Sequence, residues 1–285
     1  MENMLQLKQV SKDYEGFSLK NINLTIPKGS VMGLVGENGA GKTTIMKIIL
    51  NEISKKTGTI KVMGLDHIQD ERKIKEKIGV VWDDSFLSEY LNPLAVGKIM
   101  KNFYKKWDEK VYEQYLDKFQ LPKNKMIKEF SSGMKMKLKI ITAISHKPQL
   151  LLLDEPTSGL DPVIRYEILD IFREFITDEQ KAILMSTHIT SDLEHLADYI
   201  TFVRKGEIVL SEERDILLEQ YGIFKCTKEQ FEKIETKDYV NYKKNKYDYE
   251  VLVEDKYAFQ KKYQEQSLDK PTIEDIMIIC SKGEK

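Results

Sequence analysis

The sequence predicts an α/β fold built on a largely parallel sheet, and three observations support this. Short apolar runs alternate with longer helical patterns through about residue 220. Two runs, at 31–35 and 150–153, carry no polar side chain, which is typical of strands buried on both faces. A glycine-rich segment follows the first of these strands directly. Such a domain holds its ligand at the carboxyl ends of the parallel strands.

The remaining segments along the chain have other patterns. Ile22, Leu24 and Ile26 alternate with polar residues up to Pro27, which predicts a half-buried strand in an antiparallel opening sheet. Residues 85–147 show helical spacing instead, and we expect an all-helical insertion there. Within it, the lysines at 135, 137 and 139 are interpreted as a solvated face.

A change of composition near residue 222 indicates a second, smaller domain. Half of the 14 tyrosines lie from Tyr221 onward, and charged residues become denser. Alternate positions from Tyr247 to Val253 would share one face of a strand, and a helix would follow Pro271. The sequence therefore predicts a main domain at 1–221 and a C-terminal accessory α/β domain at 222–285.

The composition excludes several classes of protein. The 285 residues include 45 Lys and Arg against 46 Asp and Glu, so no strong field attracts nucleic acid or anionic lipid. The longest apolar run, 276–280, is far shorter than the roughly 18 residues that cross a bilayer. The first residues lack the pattern of a secretory signal, and two cysteines argue against a disulfide framework or a cysteine metal site. We expect a cytoplasmic protein.

A phosphate-binding loop is the strongest functional signal. The segment GENGAGKT at 36–43 matches G-x-x-x-x-G-K-[ST] between a buried strand and a helical stretch. Its glycines let backbone N–H groups turn toward phosphate oxygens at the positive end of the helix. Lys42 would reach the β- and γ-phosphates, and the Thr43 hydroxyl would bind Mg²⁺. A chance match has a probability of about 1%, so a glycine turn without a ligand is the weaker interpretation.

Two further segments carry acidic and small residues. The strand at 150–153 delivers Asp154 and Glu155 at its carboxyl end. Asp154 would hold Mg²⁺ through water, and Glu155 would orient or deprotonate the attacking water. The segment FSSGMK at 130–135 precedes an amphipathic helix and could offer N–H groups and a hydroxyl to an anion. Taken alone, the first segment is also typical of an acidic turn and the second of a plain N-cap.

The order of these segments closely resembles that of the ATP-binding subunits of ABC transporters. The segment 36–44 matches their Walker A motif, 150–155 matches Walker B, and SSGM at 131–134 is a variant of the LSGGQ signature. SGLD at 158–161 is similar to the D-loop, His188 to the switch histidine, and Tyr14 to the aromatic that stacks on adenine. The resemblance implies a P-loop NTPase fold of the ABC type, with an antiparallel β subdomain and a helical subdomain at about 85–147.

The resemblance also implies an ATPase that uses ATP and Mg²⁺ and closes as a head-to-tail dimer. Each ATP would lie between the Walker A motif of one subunit and the signature of the other. The implied catalytic residues are Lys42, Glu155 and His188. The implied ATP-binding residues are Tyr14, Gly36, Asn38, Gly39, Ala40, Gly41, Lys42, Thr43, Thr44, Ser131 and Gly133. The implied metal-binding residues are Thr43, Asp83 and Asp154.

The chain departs from the family pattern at two places. Ser132 and Met134 replace a glycine and the glutamine of the signature, while Ser131 and Gly133 remain. Asp83 stands where the family usually has the glutamine of the Q-loop. A carboxylate there can serve as a hard oxygen ligand for Mg²⁺. The alternatives are that Asp84 takes this position or that Asp83 is a turn residue in solvent.

One Walker A motif and one signature imply a homodimer, or a heterodimer with a related ATPase, that works with a separate transmembrane permease. The chain would then lie at the cytoplasmic face of the membrane and touch it only through that partner. The segments at 131–134 and 271–276 resemble those of ATPases for exporters of drugs, bacitracin, lantibiotics and amphipathic peptide toxins of the phenol-soluble modulin type. The two alternatives are a soluble ABC ATPase acting on ribosomes or DNA, and a regulatory module that binds ATP without turnover. The single cassette disfavours the first, and Glu155 and His188 disfavour the second.

Overall fold

In the computed structural model, which describes residues 2–82, 87–263 and 267–283, the chain divides into two units. The first combines residues 1–32 and 43–187, and the second combines 33–42 and 188–285. The strands and helices that lie wholly or partly in the first unit are β1 (Asn3–Tyr14), β2 (Phe17–Pro27), β3 (Val31–Val35), α1 (Lys42–Ile49), β4 (Thr57–Val62), β5 (Leu65–Asp66), α2 (Glu71–Lys75), β6 (Ile78–Val81), α3 (Pro93–Phe103), α4 (Glu109–Lys118), α5 (Ser132–Ile144), β7 (Leu150–Asp154), α6 (Pro162–Ile176) and β8 (Ala182–Thr187). Those of the second unit are α7 (Thr190–Leu196), β9 (Tyr199–Arg204), β10 (Glu207–Glu213), α8 (Arg214–Glu219), β11 (Gly222–Cys226), α9 (Lys228–Phe231), β12 (Asn241–Lys244), β13 (Tyr249–Val253), α10 (Lys256–Lys262) and α11 (Ile273–Lys282).

The first unit opens with an antiparallel sheet in the order β2-β1-β4-β5. Its β1 and β2 pair Leu7 with Leu24 and Val10 with Ile22, and these four side chains are buried. Alternation of apolar and polar residues buries one face of each strand, because successive side chains point to opposite faces. The predicted antiparallel opening is therefore confirmed.

A parallel arrangement of β6, β7 and β8 follows in the same unit. Val81 pairs with Leu153, and Asp154 pairs with Ser186. The residues of β7 and β8 are all buried, as expected for strands covered on both faces. The carboxyl ends of these strands meet at one edge, and this edge carries Asp154.

The described residues from 87 to 147 contain helices and no strand. Each of the three longer helices begins at a capping side chain: Asn92 accepts from Ala95 N–H, Asp108 from Val111 N–H, and Ser131 from Met134 N–H. The helices bury a shared apolar cluster that includes Tyr112, whose hydroxyl donates to the Pro93 carbonyl at 2.9 Å. The boundaries of this region as a subdomain stay a prediction.

The second unit contains the antiparallel pair β9–β10 and a separate sheet in the order β11-β13-β12. An aromatic cluster packs on the second sheet, with Phe231 stacked on Tyr249 at 4.6 Å between ring centroids. The helix predicted after Pro271 is α11, and it packs on α7 and β9 as well as on β12 and β13. One detail of the prediction is wrong: β13 begins at Tyr249, and the exposed Tyr247 precedes it. The domain boundary at 221/222 stays a prediction.

Among the described residues, no helix combines the length and the apolar character that crossing a bilayer requires.

Candidate functional site

The glycine-rich loop of the second unit closes around a lysine ammonium group. Lys42 begins α1 and is 6% exposed, although Glu37, Asn38 and Gly39 are exposed. Its Nζ donates to the carbonyl oxygen of Gly36 at 2.7 Å and to that of Glu37 at 3.3 Å. Because the donor is charged, these hydrogen bonds are stronger than those between neutral groups. The loop therefore holds a positive charge at the start of a helix, where the free N–H groups also favour an anion.

The glycines of this loop satisfy two different constraints. A Cβ on Gly36 would lie 2.2 Å from the Val203 carbonyl oxygen in β9, so no side chain fits there. Gly39 and Gly41 have φ angles of 80° and 114°, which favour glycine. Ala40 is buried, and its carbonyl oxygen accepts from the Gly206 N–H at 2.9 Å. The backbone of the loop is thus fixed by β9 and by the turn between β9 and β10.

The first unit brings Thr43 and Asp154 together. The Thr43 hydroxyl donates to Oδ2 of Asp154 at 2.8 Å, and the Ser186 hydroxyl donates to Oδ1 of the same carboxylate. Asp154 is 6% exposed. Carboxylate and hydroxyl oxygens are the hard ligands that Mg²⁺ prefers, so this pair of side chains fits a magnesium ion.

Glu155 follows Asp154 in a left-handed backbone conformation with φ of 50°. Its N–H donates to the carbonyl oxygen of Ser186 at 3.1 Å and to the Ser186 hydroxyl at 3.2 Å. These two bonds from β8 hold the backbone of Glu155 in a conformation that costs free energy outside glycine. The side chain, which is half-buried, belongs to a fixed turn at the carboxyl end of β7.

The segment at 131–134 begins α5 in the first unit. Ser131 is the N-cap, and its Oγ accepts from the Met134 N–H at 3.2 Å while the residue stays exposed. A hydroxyl that accepts in this way can still donate its proton to an anion. Gly133 is buried, and a Cβ there would lie 2.4 Å from Cδ1 of Ile164 in α6. The glycine therefore allows the start of α5 to approach α6 closely.

The other predicted residues lie as follows. Tyr14 ends β1, is 41% exposed, and has the Nζ of Lys12 at 5.2 Å from its ring centroid. His188 is exposed and directly follows β8, and Thr44 is half-buried in α1. Asp83 lies outside the described residues. The structure thus brings Thr43, Asp154 and Glu155 together in the first unit and Gly36 to Lys42 in the second, and Tyr14 and Ser131 lie on other elements of the first unit.

The structure corrects the prediction for one residue, Lys139, and reveals a role for another, Ser186. Lys139, interpreted as part of a solvated face, is 5% exposed and donates to the Trp82 carbonyl oxygen at 3.0 Å. The assignment was wrong because the apolar face of α5 is wider than its spacing suggests, and a long lysine stem can run along buried surface. Ser186, which holds both Asp154 and Glu155, received no role from the sequence. The sequence did contain one indication of this role, because Ser186 is a small hydroxyl residue near the end of the apolar strand β8.

The histidines without a predicted role include one that is part of the packing. His146 is buried, stacks on Tyr104 with 3.9 Å between ring centroids, and has Nε2 3.0 Å from the Ile78 carbonyl oxygen. Burial lowers the pKa of His146 to about 4, so the ring is neutral near pH 7.

Comparison with known proteins identifies the family. The ABC transporter family model matches residues 19–158. The lantibiotic transport ATP-binding protein SrtF of Streptococcus pyogenes is 38% identical over 74% of this chain and 92% of its own length. The bacitracin transport ATP-binding protein BcrA of Enterococcus faecalis is 34% identical over 73% of this chain and 69% of its own length.

A solved structure described as the ATP-binding subunit of an ABC transporter has a TM-score of 0.69 and 26% identity, covering 75% of this chain and 91% of the other. The predicted P-loop NTPase fold of the ABC type is confirmed by this likeness. The chain therefore belongs to the ABC transporter family, as an ATP-binding subunit that hydrolyses ATP.

Proposed function

We propose that this chain hydrolyses MgATP to power the export of peptides, antimicrobials or drugs through separate membrane subunits. ABC ATP-binding subunits work in transporter complexes with membrane permease subunits. The observation that carries the proposed chemistry is the contact between the Thr43 hydroxyl and the buried Asp154 carboxylate. It lies directly beside Glu155, whose turn is held by Ser186. The relatives SrtF and BcrA are described as lantibiotic and bacitracin transport proteins, and this supports a peptide antibiotic as the transported substrate.

We propose a separate role for each of the predicted site residues. Lys42 and the loop N–H groups would hold the β- and γ-phosphates, and Tyr14 would stack on adenine. Thr43 and Asp154 would hold Mg²⁺, and a bound ion would supply positive charge next to the phosphate oxygens. Glu155 would accept a proton from the attacking water, with His188 beside the γ-phosphate. Ser131 and Gly133 would meet the ATP of the other subunit in a head-to-tail dimer.

The permease would contact the helical region, because this region contributes no nucleotide chemistry before Ser131. A cavity of about 840 Å³ lies between α2 and the end of α3, and its lining includes the exposed Phe103 and Ile68. Exposed apolar side chains around a cavity are typical of a protein contact. A permease bound to this region would hold the chain at the cytoplasmic face of the membrane.

Reconstitution tests the proposed function. The chain should copurify with the membrane protein encoded beside it, and lipid vesicles containing both should hydrolyse ATP faster when a peptide antibiotic is present. A single cysteine at Phe103 should cross-link to a cytoplasmic loop of the permease, whereas one at Lys237 in the second unit serves as the control. Cross-links that form only through Lys237 would contradict the proposed docking region.

Asp83 provides a prediction about the metal, drawn from the sequence alone. If its carboxylate faces the metal, Asp83→Asn and Asp83→Gln should weaken the Mg²⁺ dependence of ATPase activity. The physical reason is that a carboxylate binds Mg²⁺ but repels the γ-phosphate when the metal is absent. Titrations of Mg²⁺ with wild type, both variants and Asp84→Asn decide the matter. Overlapping curves for wild type and the Asp83 pair would remove Asp83 from the metal site, and a shift in Asp84→Asn alone would move the role to Asp84.

A further inference from the structure

Lys139 is a buried lysine in the second half of α5. Its ammonium group donates to the backbone carbonyl oxygen of Trp82 at 3.0 Å, and the whole residue is 5% exposed. Removal of an ammonium group from water is costly unless hydrogen bonds and charge compensate for the lost hydration. The hydrogen bond to Trp82 therefore compensates part of this cost. Lys135 pairs with Glu89 at 2.7 Å, and Lys137 pairs with Glu167.

The helix that carries Lys139 is the helix that begins at the signature segment. Ser131 caps it, and Gly133 in its first turn packs against Ile164. Lys139 lies two turns after Ser132, or roughly 10 Å along the axis. An α-helix is stiff over this distance, so the position of Lys139 is coupled to that of the first turn.

Trp82, whose carbonyl accepts from Lys139, lies near the carboxyl ends of the parallel strands, at the edge that carries Asp154. Trp82 directly follows β6, and the last residue of β6, Val81, pairs with Leu153, one residue before Asp154. The Nζ of Lys47, in α1, the helix that contains Thr43, lies 5.8 Å from the Trp82 ring centroid. The end of β6 is thus contacted by lysines from two helices, one that follows the phosphate loop and one that begins at the signature.

We propose that Lys139 is a positioning residue for ATP hydrolysis. Its ammonium group fixes the carbonyl of Trp82, and thereby sets the end of β6 relative to the signature helix and to the Asp154 end of β7. In the sequence, Trp82 leads directly into Asp83. The inference rests on the proposed roles of Asp154 and Ser131, because it assigns to Lys139 the alignment of the elements that carry them.

Lys139→Met tests this role in the full-length chain. Methionine keeps the length and the apolar stem but removes the charge and the donor, so the core stays filled. We expect kcat to fall by about tenfold to a hundredfold, which is the range for a small misplacement of reacting groups. The KM for ATP should stay within about threefold, because Lys139 does not bind the nucleotide. The control is Lys137→Met, which removes another largely buried lysine of the same helix, 12% exposed at its side chain and paired with Glu167. Because the bond from Lys139 to Trp82 remains in this variant, its kcat should stay within about threefold of wild type.

The emission of Trp82 gives a second readout, measured with Trp107, the other tryptophan of the chain, replaced by phenylalanine. MgATP should change this emission in the wild-type background and with Lys137→Met, and the change should be smaller with Lys139→Met. A purely structural role would lower the melting temperature and leave this response intact.

Three results would overturn the inference. The first is a kcat for Lys139→Met within about twofold of wild type. The second is a loss of kcat in Lys137→Met equal to that in Lys139→Met. The third is a loss of activity in Lys139→Met that is fully explained by a smaller fraction of folded protein. A wild-type chain that binds no MgATP would contradict the proposed function itself. Full turnover by wild type and by Lys139→Met would contradict only the role of Lys139.

Discussion

Glu155→Gln should still bind MgATP but lose ATP hydrolysis by about 10² or more, which is the lower range for removing a positioned base. Glutamine keeps the size of the side chain and can adopt the same left-handed backbone conformation at φ of 50°. The two hydrogen bonds from the residue 155 N–H, to the carbonyl oxygen and the hydroxyl of Ser186, use no side-chain atom of residue 155 and should remain. The substitution therefore removes the proton acceptor and little else. The variant should accumulate as an ATP-bound dimer, since the step that releases the dimer is blocked.

The measurement combines steady-state ATPase rates with gel filtration in the presence of MgATP. Glu174→Gln is a matched control, because Glu174 is an exposed carboxylate of α6 whose partner is Lys118. An exposed ion pair contributes little, so this control should be as active and as stable as wild type. Near wild-type turnover by purified Glu155→Gln would show that another group is the base.

Lys42→Ala should act at an earlier step and weaken nucleotide binding itself. The substitution removes a positive charge and also two hydrogen bonds that hold the loop, those to the carbonyl oxygens of Gly36 and Glu37. Hydrogen bonds that involve a charged group contribute about 1.5–3 kcal/mol each, so we expect the affinity for MgATP to fall by about tenfold or more. Hydrolysis should fall at least as far.

Isothermal titration calorimetry with MgATP separates this effect from that of Glu155→Gln, because only Lys42→Ala should raise the dissociation constant. Lys101→Ala is the control, since Lys101 is an exposed lysine that pairs with Glu109 on the neighbouring helix. Unchanged affinity of Lys42→Ala for MgATP would remove Lys42 from the phosphate site.

Local sequence was sufficient to predict several of the strands and helices and the phosphate loop. The two buried strands, the antiparallel opening, the helices after residue 87 and the helix after Pro271 all follow from the spacing of apolar residues, which decides the face that an element buries. The segment at 36–43 could be read directly, because a phosphate loop is made from consecutive residues whose backbone does the binding.

Contacts between distant segments were decided only by the tertiary structure. Ser186 reaches Asp154 from the neighbouring strand, Gly36 faces a carbonyl of β9, and Lys139 is buried against Trp82. These partners lie between 32 and 167 residues apart in the chain. Periodicity indicates which face of an element is buried, but it carries no information about the atom that will oppose a given side chain. Strand order and helix packing supply that atom, and they decide whether a lysine is solvated or holds a backbone carbonyl at the edge of the site.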